Sequence, residues 1–305
     1  MKKLIYFIGI VFSLVPLAAC ANDNVQINEN QKVKMILDLD TGIDDALALA
    51  YALADPKIDL IGVVASYGNV TMEESVSNTL ELLDMLDRKD VPVFRGVDRA
   101  IGENTPFEVM PISRFIHGDN GIGDIQIAAS PRVADKQDGV DFMIESAKKY
   151  GKDLIIVAVG PMTNLNEAVQ REPNFKNMVG NLVIMGGALI VDGNVNNLAE
   201  ANIFQDPVSA NELFRSGAPV TMVGLDVTQR TLLTKKDTKV WRDLGTTSGK
   251  AYADMTDYYI DAYLVNAPEL GGCALHDPLA VAVAVHPDLV KVLPLHMRVG
   301  TSDED

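Results

Sequence analysis

Eight residues, "DLDTGIDD" at 38–45, hold four carboxylates: Asp38, Asp40, Asp44 and Asp45. No lysine or arginine stands between Lys34 and Lys57 to neutralise them. Two carboxylates about 4 Å apart repel by about 4 kcal/mol at an effective dielectric near 20. Such a cluster must hold protons or a cation. Capping accounts for one or two acids at the start of a helix, where backbone N–H groups favour negative charge. It does not account for four. A bound metal ion is the local alternative, and an all-oxygen ligand set suits Ca2+ or Mg2+ better than zinc.

The acids need a scaffold that ends a strand and opens a helix at one place. "KMILDLD" (34–40) reads as a strand and 44–54 as a helix. Further strands are expected at 58–66, 91–96, 153–159, 181–187 and 219–227. Helical periodicity separates them at 73–87, near 137–149, from about Met162 and near 206–216, and most of the chain after 232 reads as helix, including 277–285. Apolar, β-branched strands alternating with helices predict an α/β fold with a mostly parallel central sheet and helices on both faces. Ligands in such sheets sit beyond the carboxyl ends of the strands, which is where Asp38 and Asp40 fall. Residues 97–130 are rich in Gly, Pro, Asn and Asp and read as a long functional or mobile loop.

Two families share an acidic strand end of this kind. The first is the haloacid-dehalogenase-type phosphatase, with Asp-x-Asp and commonly Thr or Val two residues later. Here that place is Gly42, and the Asp44–Asp45 pair has no counterpart there. The second fits better. "DLDTGIDDA" closely resembles the N-terminal signature of inosine–uridine nucleoside hydrolases. In the same order follow "GN" (68–69), "HGDNGIG" (117–123), "GPMTNL" (160–165), "MGG" (185–187), "GNVNNLAEAN" (193–202) with "DP" (206–207), "GLDVT" (224–228) and "HDPLA" (276–280). One such motif is weak; an ordered series from about 34 to 285 is specific. The resemblance implies a Rossmann-like nucleoside hydrolase architecture and hydrolysis of the N-glycosidic bond of ribonucleosides to base and ribose. Such reactions pass through an oxocarbenium-like transition state.

The resemblance also implies roles. Asp40, Asp45, Asp277 and the backbone carbonyl of Thr163 would hold Ca2+, which would hold the ribose hydroxyls and the nucleophilic water. Asp40 would be the general base. Asp44, Asn69, Asn194, Glu200 and Asn202 would bind the sugar, and His117 would sit in a loop that closes over substrate. Asp38 would stand behind these, orienting Asp40 or the helix N-terminus. His276 would donate a proton to the departing base or, alternatively, serve as a hydrogen-bond partner of Asp277. The chain departs from the family pattern at Ala201, where an aromatic residue is common. It also stops at "RVGTSDED", where further C-terminal segments are expected. The single tryptophan, Trp241, lies away from the motifs, so a broad base preference is expected over a purine-restricted one.

The N-terminus "MKKLIYFIGIVFSLVPLAAC" has two lysines, an apolar run and a small-residue end, the layout of a secretory signal. Its apolar run is short for a membrane span, the alternative reading. "LAAC" resembles a bacterial lipobox, which implies cleavage before Cys20 and lipid on that cysteine. The expected division is therefore 1–19 signal peptide, 20–33 polar tether and 34–305 hydrolase domain. The mature protein would be an envelope lipoprotein on the periplasmic or extracellular face. Cleavage would remove Lys2 and Lys3 and no acid, taking the formal net charge from −16 to −18. That acidity excludes nucleic acid as a partner. With Cys20 lipidated, Cys273 stands alone and no disulfide framework exists, so stability must come from a core. A homo-oligomer, dimer or tetramer, is expected from the resemblance. The non-enzymatic alternative is an envelope protein that captures nucleosides without turnover. It would need the ribose clamp but not a poised base, and Asp40 speaks against it.

Overall fold

The computed structural model describes residues 32–301; the signal, Cys20 and the tether lie outside the described residues. Six parallel strands form the main sheet in the order β3-β2-β1-β4-β5-β6. They are β1 (Val33–Leu39), β2 (Ile58–Ala65), β3 (Val93–Arg95), β4 (Leu154–Ala158), β5 (Asn181–Met185) and β6 (Val220–Val223). β1 and β4 lie side by side, with Asp38 opposite Ala158, while the chain leaves them toward opposite edges of the sheet. That reversal of strand order opens a crevice at their carboxyl ends.

The strands alternate their side chains between two apolar layers, as the period of two requires. Met35, Leu37 and Leu39 face one layer, and Ile36 with Val64, Ile156 and Leu182 the other. On the first side lie α1 (Ile43–Ala54), α2 (Met72–Met85) and, from the end of the chain, α12 (His276–Val285), which packs along α1. On the second lie α4 (Gly139–Tyr150), α5 (Thr163–Arg171), α6 (Phe175–Met178) and α8 (Pro207–Arg215). Strands buried on both faces explain why the runs are apolar throughout rather than alternating.

The strands and main helices fall where the periodicity puts them, to within a few residues. Three differences concern the site. The 97–130 stretch contains a helix, α3 (Pro111–His117), opened by a proline at its first position. The run at 219–227 is a strand only to Val223; Gly224 then caps α9 (Leu225–Thr228). α7 (Ala201–Gln205) turns the 193–202 segment back onto the sheet. The C-terminal part adds α10 (Lys235–Asp243) and α11 (Thr247–Asn266), with a small antiparallel pair, β7 (Leu232–Leu233) and β8 (Cys273–Ala274), between distant segments.

Candidate active site

Asp40 follows β1, and Asp44 and Asp45 occupy the first turn of α1. Asp277 arrives at the first turn of α12. All four are buried, and one carboxylate oxygen each of Asp44, Asp45 and Asp277 lies within 4.8 Å of the others. Asp45 is tied most completely. One oxygen accepts the Asp40 N–H at 3.1 Å, and the other accepts the Gly42 N–H at 2.8 Å and Asn69 Nδ2 at 3.1 Å. It therefore does cap its helix. Asp40 accepts the Asn69 N–H at 2.6 Å on Oδ2 and leaves Oδ1 unpaired. Asp44 accepts the Tyr259 hydroxyl at 3.1 Å on Oδ2 and leaves Oδ1 unpaired; Asp277 leaves Oδ2 unpaired.

Burial first, and then the neighbouring acids, push these carboxyls up: Asp45 to about 7, and Asp40 and Asp277 well above the ordinary carboxylate range. No lysine or arginine pairs with any of the four among the described residues; the nearest ring nitrogen, His117 Nδ1, is 3.8 Å from Asp44 Oδ1. Unpaired buried oxygens on charge-frustrated acids form a fitting cradle for a hard divalent cation. Two glycines let the backbone close around it. A Cβ on Gly68, whose φ is +152°, would stand 2.1 Å from Asp40 Oδ2. One on Gly42 would stand 2.7 Å from His117 Nδ1, so the Thr or Val of the phosphatase pattern has no room there.

The sugar-binding expectations gather at one cavity of about 120 Å3, lined by Asp44, Asn69, His117, Asn194, Glu200, Asn202, His276 and Asp277. Several are partly occupied by scaffold work. Glu200 accepts the N–H groups of Gly187, Asn202 and Ile203. Asn202 gives its amide protons to the Val159 and Met185 carbonyls, joining the ends of β4 and β5. Asn194 Oδ1 accepts the Ala201 N–H. What remains for a ligand is Asn194 Nδ2 and Asn202 Oδ1.

Two expectations fall elsewhere. Thr163 is the first residue of α5, and a carbonyl in the first turn of a helix points along the helix, away from the strand ends. Its hydroxyl donates to Asp206 at 2.7 Å and meets the Tyr67 hydroxyl at 2.8 Å. At this strand end Val159, and not Thr163, is among the residues that line the cavity. Asp38 does not bond Asp40. Its Oδ1 accepts Asn164 Nδ2 at 2.8 Å, and burial pushes its carboxyl up to about 7. Asn164 in turn accepts the Val97 N–H, so Asp38 secures the exit of β3.

His276 is buried with both ring nitrogens occupied: Nδ1 meets the Thr228 hydroxyl at 2.8 Å and Nε2 the Tyr263 hydroxyl at 2.6 Å. Burial lowers its pKa, and that of His117, so both rings are neutral at pH 7. His117 Nδ1 accepts the Ile43 N–H at 3.1 Å, which leaves the proton on Nε2. The cavity is also lined by Met110, just before α3, by Ile112 and Ile116 from α3, and by Tyr259, Tyr263 and Leu270, which form an uncharged wall. No motif marked this wall. The only local signal is a pair of tyrosines four residues apart on one face of α11.

The sequence and fold have close counterparts among known proteins. Residues 35–305 match the family described as "Inosine-uridine preferring nucleoside hydrolase". The solved structure of a purine-preferring ribonucleoside hydrolase from Gardnerella vaginalis is 59% identical, with a TM-score of 0.86 over 88% of this chain and 84% of that one. "Probable uridine nucleosidase 2" of Arabidopsis thaliana is 37% identical over 88% of this chain and 82% of the relative. The pyrimidine-specific ribonucleoside hydrolase RihA of Escherichia coli O1:K1 / APEC is 32% identical over 88% of this chain and 84% of the relative. An acidic cluster at the switch point of a parallel sheet, a cavity lined by polar side chains beside it and these likenesses agree: the chain belongs to the inosine-uridine preferring nucleoside hydrolase family and hydrolyses ribonucleosides.

Proposed function

We propose that this hydrolysis depends on Ca2+ held by Asp40, Asp44, Asp45 and Asp277, with the Val159 carbonyl in the place expected of Thr163. One observation carries the reading: Asp40 Oδ1, Asp44 Oδ1 and Asp277 Oδ2 are buried and unpaired, and carboxylate oxygens of Asp44, Asp45 and Asp277 lie within 4.8 Å of one another. A calcium ion there would offset the charge of the cluster, hold the ribose hydroxyls and make a water more acidic.

The protein groups supply the rest. Asp40, oriented through Oδ2 by the Asn69 N–H, takes the proton of the attacking water on Oδ1. Asp44, steadied by Tyr259, accepts a ribose hydroxyl. The water oxygen bonds to C1′ as the C1′–N bond breaks, and the bonding pair leaves with the base. The base needs a proton at that moment, and Tyr263, backed by His276 Nε2, is the hydroxyl placed on its side of the cavity.

The wall that meets the base carries no charge, and Ala201 leaves open the place where relatives commonly carry an aromatic side chain. A wide, uncharged wall suits purine and pyrimidine ribonucleosides alike. The names of the relatives support both: one similar enzyme is called purine-preferring, others uridine or pyrimidine nucleosidases. The proposal includes export and a lipid anchor on Cys20, supported by the N-terminal sequence alone. Among the described residues no helix is long and apolar enough to cross a membrane.

Elemental analysis of protein purified without added metal tests the centre of this reading. The expected result is about one calcium per chain, with release of base from inosine and uridine abolished by a chelator and restored by Ca2+. Zinc in the site, or full turnover in chelator, would overturn it.

A further inference from the structure

α2 is an amphipathic helix with an unusual inner face: Ser75, Asn78 and Thr79 are buried there beside its apolar residues. Buried polar side chains need partners, and these find theirs in the active-site backbone. Asn78 is 6% exposed. Its Nδ2 donates to the Thr41 carbonyl at 3.1 Å and to the Asn120 carbonyl at 2.9 Å. A side-chain amide has two N–H donors, and here each goes to a different segment. Thr41 lies in the acidic turn, directly after Asp40. Asn120 lies in the loop directly after His117. The same two segments meet once more, where His117 Nδ1 accepts the Ile43 N–H at 3.1 Å.

We propose that Asn78 is a positioning residue that clamps the acidic turn to the His117 loop and so sets how Asp44 and His117, which line the same cavity, stand relative to each other toward substrate. It touches neither substrate nor reacting atoms. Asp44 Oδ1 and His117 Nδ1 stand 3.8 Å apart, and no covalent path shorter than the whole α2 and α3 region fixes that distance. One bond at Ile43 is a pivot; a second through Asn78 removes the rotation about it. Ser75 makes the contrast: its hydroxyl donates to the Leu39 carbonyl and meets Thr41 Oγ1 at 3.0 Å, so it grips the turn without reaching the loop.

The inference rests on Asp44 and His117 facing one substrate. The calcium and base assignments are tested on other residues, so they stand or fall separately. The experiment is a pair of double-mutant cycles in kcat/KM on inosine and uridine, with Tm recorded for every variant: Asn78→Ala with His117→Asn, and Ser75→Ala with His117→Asn. Asn78→Ala is expected to lower kcat/KM by roughly ten- to a hundredfold, because displacements near 1 Å cost that much. Asn78→Asp keeps the shape but turns an acceptor toward two carbonyls, and is expected to lose more. If Asn78→Ala does not fold, Asn78→Ser, with one donor left, takes its place in the cycle. The Asn78 and His117 effects should be strongly non-additive, since both act on one junction, while those of Ser75 and His117 should add. Additive Asn78 and His117 effects, or wild-type kinetics in a folded Asn78 variant of lowered Tm, would overturn the proposal.

Discussion

The helices α1 and α12 pack side by side, and acids stand at both ends of the pair, yet the two ends behave oppositely. At their N-termini, Asp44, Asp45 and Asp277 crowd together, Asp44 and Asp277 each with an unpaired oxygen, and burial raises the carboxyls of Asp45 and Asp277. At their C-termini stands another acid, Asp55, also little exposed. Burial raises it too, but the bonds it accepts outweigh burial and hold it below the usual range. They come from the Lys57 N–H at 2.9 Å, His286 Nε2 at 2.7 Å and the Tyr51 hydroxyl at 3.2 Å. Lys57 Nζ lies 3.3 Å from His286 Nδ1 and completes the group. An acid with its partners inside the protein stabilises the fold. Acids left without partners await one from outside.

The largest test of that contrast is Asp40→Asn. The amide keeps the volume but cannot take the proton of the water, and removal of a base costs about a hundredfold or more in kcat. The calcium content of the folded variant separates loss of the base from loss of the ion. Wild-type turnover in a calcium-replete variant would remove Asp40 from the role.

His276→Ala sharpens the site further. Proton donation to a leaving group is worth about a hundredfold or more, and a nitrophenyl riboside needs none. The variant should therefore lose inosine hydrolysis and keep most of its activity on the nitrophenyl substrate. Tyr263→Phe should give the same split, since its hydroxyl lies on His276 Nε2. Equal loss on both substrates would make His276 a support of Asp277 and the ion.

Acid titration should separate the two ends by sign. In chelator, Asp45 and Asp38 take up protons near pH 7 when folded and near 3.8 when unfolded. Between those values the folded state binds more protons, so stability present below about 3.8 is lost as pH rises toward 7. Added Ca2+ should raise Tm increasingly over the same window, because it binds the ionised cluster. Asp55 contributes the other way: its stability is present above 3.8 and lost as pH falls through its lowered value. A chelated protein whose Tm climbs from pH 4 to 7 would contradict the raised carboxyls.

The smallest effect is expected at Asp55→Asn. Weakening its hydrogen bonds should cost about 1–2 kcal/mol, a drop of a few degrees in Tm for a protein of this size. kcat on inosine should not change, because the pair lies at the opposite ends of both helices from the cavity. A changed kcat would mean that the two ends communicate along α1 and α12.

Much of this was legible before any coordinates. Asp40, Asp44 and Asp45 sit within six residues of one another, so a strand end and a helix start suffice to bring them together. The alternation of apolar runs foretold the sheet, because a period of two or 3.6 is a property of neighbouring residues. The α3 helix was hidden because its seven residues lie in a Gly- and Pro-rich stretch and carry too little period to detect.

What the sequence by itself determined was therefore local: the acidic turn, the strand and helix order, the glycines that permit close approach. Only the tertiary structure decided which groups are partnered. Asp55 and Asp40 are the same residue type beside the same helix; Asp55 finds Tyr51 and the Lys57 N–H within four positions, but its remaining partner comes from far along the chain. His286 comes to Asp55 from the end of α12, while among the described residues no cation comes to Asp40. Likewise, helix direction turns the Thr163 carbonyl away and leaves Val159 at the cavity. Tyr259 and Tyr263 reach Asp44 and His276 only because α11 packs against α1 and α3. A charge depends on whatever the fold brings within a few ångströms, and that is set by packing between segments far apart in the chain.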